Sequence, residues 1–410
     1  MLEKFMDHIN IETSKRNQVK DLRLFIKPLV HFDKRSVCNL FPNLQRVEFI
    51  QFEGDKTLVD FSNNRQIDTA AMTSTIESVI EYGDDQFSLH LIESRLCDRL
   101  VTLYINDRSE KKHTIQHRLK HMPVLKVLTL DLYNFTFTFN DLERLHKEIP
   151  SLVEVSLSQV TLVQSEMPVD ITSMPLVKKI KLNFKCTRTS SYITTAYLQY
   201  FEYISKKYTH LEKLILNSKG YTEFKIADRH RLFDLGWIPF LRSMPLLDSI
   251  EQIDVPAGVN IFKKLDHLEY KVKGLSIYAS AHQRNFTLDE FTHSDQAKYM
   301  RELLLDNFTL PHLDDALRYT KLVKLALYFS DDDDDTLVLN HFLKICPDTL
   351  KHLTLEACFV EYDPLDDYQC LSLISLEMNC TCLGMIGRGV EENVYKCCPN
   401  LKKVAIEAFL

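Results

Sequence analysis

The chain has 410 residues, 45% of them hydrophobic and 26% charged, which is ample material for a large core. Lys and Arg number 50 against 57 Asp and Glu, and the net charge of −7 argues against general nucleic-acid binding, which requires a basic footprint. The opening "MLEKFMDHINIETSKRNQ" carries charges every few positions and no apolar signal-peptide core, and no apolar run approaches the ~20 residues of a membrane span. Ten cysteines in such a chain are expected as reduced thiols, in a cytoplasmic or nuclear protein.

Residues 1–18 read as a helical lead-in. From there one pattern recurs, with apolar residues at relative positions one, four and six. It begins with "VKDLRL" from Val19, "LQRVEF" from Leu44, "LVTLYI" from Leu100, "LKVLTL" from Leu125 and "LVEVSL" from Leu152. It continues with "VKKIKL" from Val177, "LEKLIL" from Leu211, and the weaker "LDSIEQI" from Leu247 and "LDHLEY" from Leu265. "MRELLL" from Met300, "LVKLAL" from Leu322, "LKHLTL" from Leu350, "LISLEM" from Leu373 and "LKKVAI" from Leu401 complete the series. Several neighbouring copies lie 25 to 28 residues apart, the period of a leucine-rich repeat. Positions four and six are two apart, so in a strand both side chains point to one face, the core.

A returning helix between copies makes successive strands parallel. "NDLERLHKEIPSL" is such a return, with Asn140 as its expected N-cap and Pro150 as its stop; "TSSYITTAYLQYFEYISKKYTHL" is a longer one. Pro42, Pro123, Pro150, Pro175, Pro347 and Pro399 all stand just before a strand, where no amide donor is needed. The expected fold is therefore α/β: a leucine-rich-repeat solenoid (horseshoe) with a parallel sheet on the concave face and helices on the convex face. Residues 1–410 form a single irregular domain of about 13 to 14 repeats. Position nine, which should serve the turn after the strand, holds Cys358, Val160, Phe308 or Phe409, so no continuous polar ladder is expected.

"CPDTLKHLTLEAC", "CCPNLKKVAIEAF" and "FPNLQRVEF" resemble the cysteine-type repeats of F-box proteins. The resemblance spans nearly the whole chain by pattern rather than by fixed residues. It is most similar to fungal F-box/leucine-rich-repeat proteins of the ribonuclease-inhibitor-like superfamily. That resemblance implies a non-catalytic scaffold whose repeats hold a protein substrate for an SCF-type ubiquitin ligase. An F-box usually opens with Leu-Pro before an amphipathic helix, but the first Leu-Pro here is Leu310-Pro311. "LEKFMDHINIETSKRNQVKDLRLF" looks instead like the stretch that follows an F-box, so the F-box itself is expected to be missing from this chain. A cullin-ligase adaptor is then a partner only if an F-box exists upstream. The alternative is a ribonuclease-inhibitor-like interaction protein with no ligase link. Either way the expected partner is a protein, with no nucleic acid, membrane or cofactor.

Other motifs carry less. Asp331 to Asp335 read as a loop capping the helix "TLVLNHFLKIC". Seven cysteines lie between Cys346 and Cys398 without a paired C-x-x-C, so no metal is expected. His113, His117 and His121 read as one solvated helix face, and "GMIGRGV" as a turn. No G-x-S-x-G, kinase set or H-E-x-x-H occurs, and no enzyme is expected.

Positions three, five and seven should face outward along the sheet. Tyr104, Lys179, Lys181, Ile215, Leu304 and Tyr328 are the candidate protein-binding residues among them, the apolar ones because they leave apolar area in water. The last strand, around Val404 and Ile406, is expected to be an open edge shielded by the helix "EENVYKCC".

Overall fold

The structure is a computed structural model. It describes residues 18–26, 41, 43–51, 75–82, 99–107, 119, 122–132, 136–158, 161–162, 167–185, 190–219, 226–256, 258–278, 288–308, 315–329, 336–357, 359–361, 363, 368–380 and 390–408. Residues 1–17 of the expected helical lead-in, Cys358, Asp331 to Asp335, His113, His117, His121 and Gly384 to Gly389 of "GMIGRGV" lie outside the described residues.

The chain forms two compact units, Met1–Lys185 with Lys206–His210, and Cys186–Ser205 with Leu211–Leu410. In the first unit, β1 (Asp21–Ile26), β2 (Arg46–Gln51), β3 (Ser78–Tyr82), β4 (Thr102–Asp107) and β5 (Val127–Leu132) pair in sequence, all parallel. A short pair follows, β6 (Thr136–Phe137) with β8 (Thr161–Leu162), while β7 (Glu154–Ser158) and β9 (Lys179–Lys185) extend the main sheet. In the second unit the sheet order is β10 (Lys213–Lys219), β11 (Ser249–Asp254), β12 (Gly274–Tyr278), β13 (Glu302–Phe308) and β14 (Lys324–Phe329). It continues through β16 (His352–Ala357), β18 (Ser375–Cys380) and β19 (Lys403–Ala408), with β15 (Thr336–Val338) paired to β17 (Phe359–Glu361) alongside. Repeating strands in parallel order, joined by returning helices and turns, are the leucine-rich-repeat solenoid that the leucine period demands.

The register stacks like on like. Leu103, Leu128, Val155 and Ile180 are cross-strand partners in the first unit, as are Leu303, Leu325, Leu353 and Leu376 in the second. All eight are buried. The turn entering each strand is braced the same way: one carbonyl of the preceding repeat accepts two amides. Lys126 N and Val127 N both donate to Val101 O (2.9 and 3.0 Å), and Lys351 N and His352 N to Val323 O (2.8 and 3.1 Å).

The weaker copies show where the pattern deceives. "LDHLEY" is not a strand: Leu265 lies in helix α5 (Ile261–His267), capped by the Asn260 side chain accepting from Lys263 N at 2.9 Å. The strand of that repeat is β12, with Val272, Leu275 and Ile277 buried at positions one, four and six. One repeat escaped the pattern altogether. Strand β3 buries Ile76 and Val79 but places Glu81, not an apolar residue, at position six. Position six of "LDSIEQI" is displaced by a bulge, which brings Ile253 rather than Gln252 into register with Ile277.

Helix α1 (Phe139–Glu148) starts two residues earlier than an Asn140 N-cap would dictate. Its N-cap is Thr138, in a capping box: Asp141 N donates to Thr138 Oγ1 (3.2 Å) and Thr138 N to Asp141 Oδ2 (2.9 Å). Helix α6 (Leu339–Ile345) begins after strand β15, and its N-cap Val338 makes no side-chain cap bond.

Two packed clusters hold the units. In the first, His146 of α1 shares a 2.8 Å hydrogen bond through Nε2 with the Tyr208 hydroxyl. Beside it Lys207, 1% exposed, donates to Glu143 Oε2 at 2.6 Å. Burial and then the Lys207 charge push the His146 pKa down to about 3, so the ring is neutral. In the second unit, helix α2 (Ser190–Lys207) supplies Phe201, whose ring stacks on Trp237 and Phe240 at centroid distances of 4.6 and 4.8 Å. A π-turn, Phe233–Trp237, joins α3 (Ile226–Leu232) to α4 (Ile238–Ser243) and turns Trp237 inward. Gly236 allows close packing there: a Cβ would sit 3.1 Å from Phe201 Cε2, closer than ordinary contact.

Candidate functional site

Strand pairing sorts the outward positions into rows that cross the sheet. In the first unit the rows are tied together by their own charges. Glu48 meets Arg23 at 3.4 Å and Arg46 at 4.0 Å. Lys179 reaches Glu154, its cross-strand partner, at 3.0 Å. The Tyr104 hydroxyl donates to Asp131 Oδ2 at 3.1 Å. Of the candidates on this face, Tyr104, Lys179 and Lys181 are all half-buried, but Tyr104 and Lys179 are spoken for by neighbouring strands. These partners stand 25 and 27 residues away in the chain, which is one repeat.

In the second unit Ile215 is 8% exposed, so its own surroundings cover it and it has little surface to give. Next to it Lys213 forms an ion pair with Glu251. Leu304 and Tyr328 are half-buried at outward positions, as their place in the repeat requires. They are not adjacent: Leu304 pairs with Ala326, and Tyr328 with Asp306 and Glu356.

The register thus assembles a feature that the single-residue reading missed. Tyr278, Asp306, Tyr328, Glu356 and Asn379 form one row, each the direct cross-strand partner of the next. Thr354 and Glu377 lie in the row beside it. Burial, followed by the charges of Glu356, Glu377 and Asp306, pushes the Tyr328 phenol up. Asn379 Oδ1 is buried and has no hydrogen-bond partner. No cation among the described residues pairs with Glu356 or Glu377, unlike Glu48 and Glu154 of the first unit and Glu251 of the second. At the other ends of the same strands, the first outward row places Glu302, Lys324, His352, Ser375 and Lys403 side by side. One end of this face is acidic and aromatic, the other largely basic.

The thiols behave as core. Cys346, Cys370, Cys397 and Cys398 are reduced and buried, and Cys370 N donates to Cys397 O at 2.6 Å. A hydrogen bond from the Cys398 thiol, with help from Ser372, lowers the Cys370 pKa to about 6 against the cost of burial. Cys398, as donor, is pushed up. Among the described residues no group of three or more His, Cys, Asp or Glu side chains is arranged to hold a metal ion. None of the described helices is long and apolar enough to cross a membrane.

No protein-family model matches the chain, and no curated protein matches it. Solved structures do. The chain is similar to one in the mouse RP105/MD-1 complex, at 14% identity and TM-score 0.40, over 90% of this chain and 52% of that one. It is similar to the APL1 leucine-rich repeat domain at 14% identity and TM-score 0.27, over 94% and 81%. A chain of the TLR13–ssRNA13 complex matches at 12% identity and TM-score 0.30, over 93% of this chain and 56% of its own length. The chain therefore spans about half the length of the RP105/MD-1 chain it matches.

Proposed function

We propose that the chain is a protein-binding scaffold whose outward sheet faces hold a partner, without catalysis of its own. The observation that carries this reading is the alternation of burial along the strands. Inward leucines are fully buried, while Tyr104, Leu304 and Tyr328 keep part of their surface in water on a face built from rigid, mutually braced strands. Rigid backbone under partly exposed aromatic and aliphatic side chains limits the ordering cost of association. The net charge of −7 and the bare carboxylates favour a protein over a nucleic acid as that partner.

The resemblance of the cysteine-type repeats to those of F-box proteins supports the finer reading, substrate recognition for an SCF-type ubiquitin ligase. Affinity capture with the full chain tests both levels. One partner should be retained by the parent and lost from Tyr104→Asp/Lys181→Glu or from Leu304→Asp/Tyr328→Asp, with melting temperatures unchanged. Capture indifferent to both double variants would overturn the scaffold reading. Repeated capture of a client with no cullin-ligase adaptor beside it would leave the scaffold and remove the ligase link.

A further inference from the structure

The scaffold reading says only that something docks; the register of the second unit says what kind of chemistry fits, and this inference rests on that reading. Neighbouring strands lie about 4.8 Å apart, so Tyr278 and Tyr328, two strands apart, are separated by about 10 Å with Asp306 between them. A cation over Asp306 then lies one strand spacing, about 5 Å, from the backbone position of each tyrosine, comparable to the ~6 Å reach of a cation–π contact. Glu356 is the next position along the row, and Glu377 stands one strand further in the adjoining row.

Like charges gathered on one face destabilise one another. In the first unit, cross-strand cations relieve this at Glu48 and Glu154. In the second unit Glu356 and Glu377 have no such cation among the described residues, although His352 lies on the strand of Glu356 and Lys324 and Lys403 on the strands to either side of this pair. The register holds those cations in the first outward row, four residues and about 13 Å along the strand from Glu356 and two residues, about 7 Å, from Glu377.

We propose that the row from Tyr278 through Asp306, Tyr328 and Glu356 to Asn379, with Glu377 beside it, receives a lysine- or arginine-bearing segment of a protein partner. The cationic side chains enter between the tyrosine rings and the carboxylates neutralise them. The opposite row of Lys324, His352 and Lys403 sets the direction of the segment, because it repels the same charges and accepts an acidic flank.

Fluorescence anisotropy of the full chain with a labelled peptide of alternating lysine and serine tests the assignment, with the glutamate–serine peptide as control. The lysine peptide should bind, and binding should weaken as salt rises. Glu356→Gln/Glu377→Gln should weaken it about ten-fold, and Tyr328→Ala comparably, whereas Lys324→Ala, which removes a repelling charge, should tighten it. An unaltered circular-dichroism melt for each variant excludes misfolding as the cause. A lysine peptide held no better than the glutamate peptide, or indifferent to Glu356→Gln/Glu377→Gln, overturns the proposal. In that outcome a partner still captured through the sheet faces would keep the scaffold reading standing.

Discussion

His146 makes the sharpest prediction because its cost can be worked from the structure. Its ring is buried against Tyr208, and burial together with Lys207 depresses its pKa from 6.5 to about 3. A depressed pKa in the folded state means the unfolded chain takes up the proton first. The neutral ring's contribution is fully present above pH 6.5 and is lost as pH falls from there toward 3. At pH 5 the unfolded His146 is protonated and the folded one is not, which removes about 2 kcal/mol relative to pH 7.5. His146→Gln keeps a polar group near Tyr208 but cannot titrate. Urea unfolding followed by circular dichroism at both pH values should therefore show the parent losing about 2 kcal/mol more than the variant, the other 14 histidines cancelling between them. The ring signal of His146 in NMR should also stay that of a neutral imidazole at pH 5. Equal losses in parent and variant, or a ring that titrates near its ordinary value, would refute the argument.

Leu353→Ala should cost about 2–5 kcal/mol in thermal or urea unfolding, because Leu353 is 1% exposed between Leu325 and Leu376 and its loss leaves a cavity. Gly236→Ala should cost about 1–3 kcal/mol, since the new methyl meets Phe201, Leu198 and Leu232 at 3.1 to 3.2 Å; a shift in Trp237 fluorescence should accompany it. Thr138→Ala should cost about 1 kcal/mol by removing the capping box of α1, and an unchanged melt would show the cap to be redundant.

The strands were legible in the sequence because their signal is local. Three core side chains per strand at fixed spacing are read within six residues, as at "LKHLTL", and each is buried. The failures have a local cause too. The first interval of the pattern, three residues, is also a helical interval, so Leu265 and Leu268 satisfy it within and just after helix α5. The correct copy, "VKGLSI" from Val272, lies 25 residues after Leu247, whereas Leu265 lies only 18 after it, so the period held the better clue. Glu81 hid β3 because one polar residue at position six removes a third of the signal.

The sequence by itself determined which side chains face the core and which face outward, since alternation along a strand is a property of the backbone. It did not determine what the outward residues meet. Tyr104 and Asp131, Lys179 and Glu154, or Tyr328 between Asp306 and Glu356 stand a repeat apart in the chain and become neighbours only through register. Insertions of varying length separate the repeats, so no fixed offset in the sequence reveals these pairs. Whether a charge is neutralised depends on reaching an opposite charge within about 4 Å, and only the packed strands fix that distance. Tertiary structure alone therefore decided that Lys179 is occupied, that Ile215 is covered, and that Glu356 and Glu377 have no cation partner among the described residues.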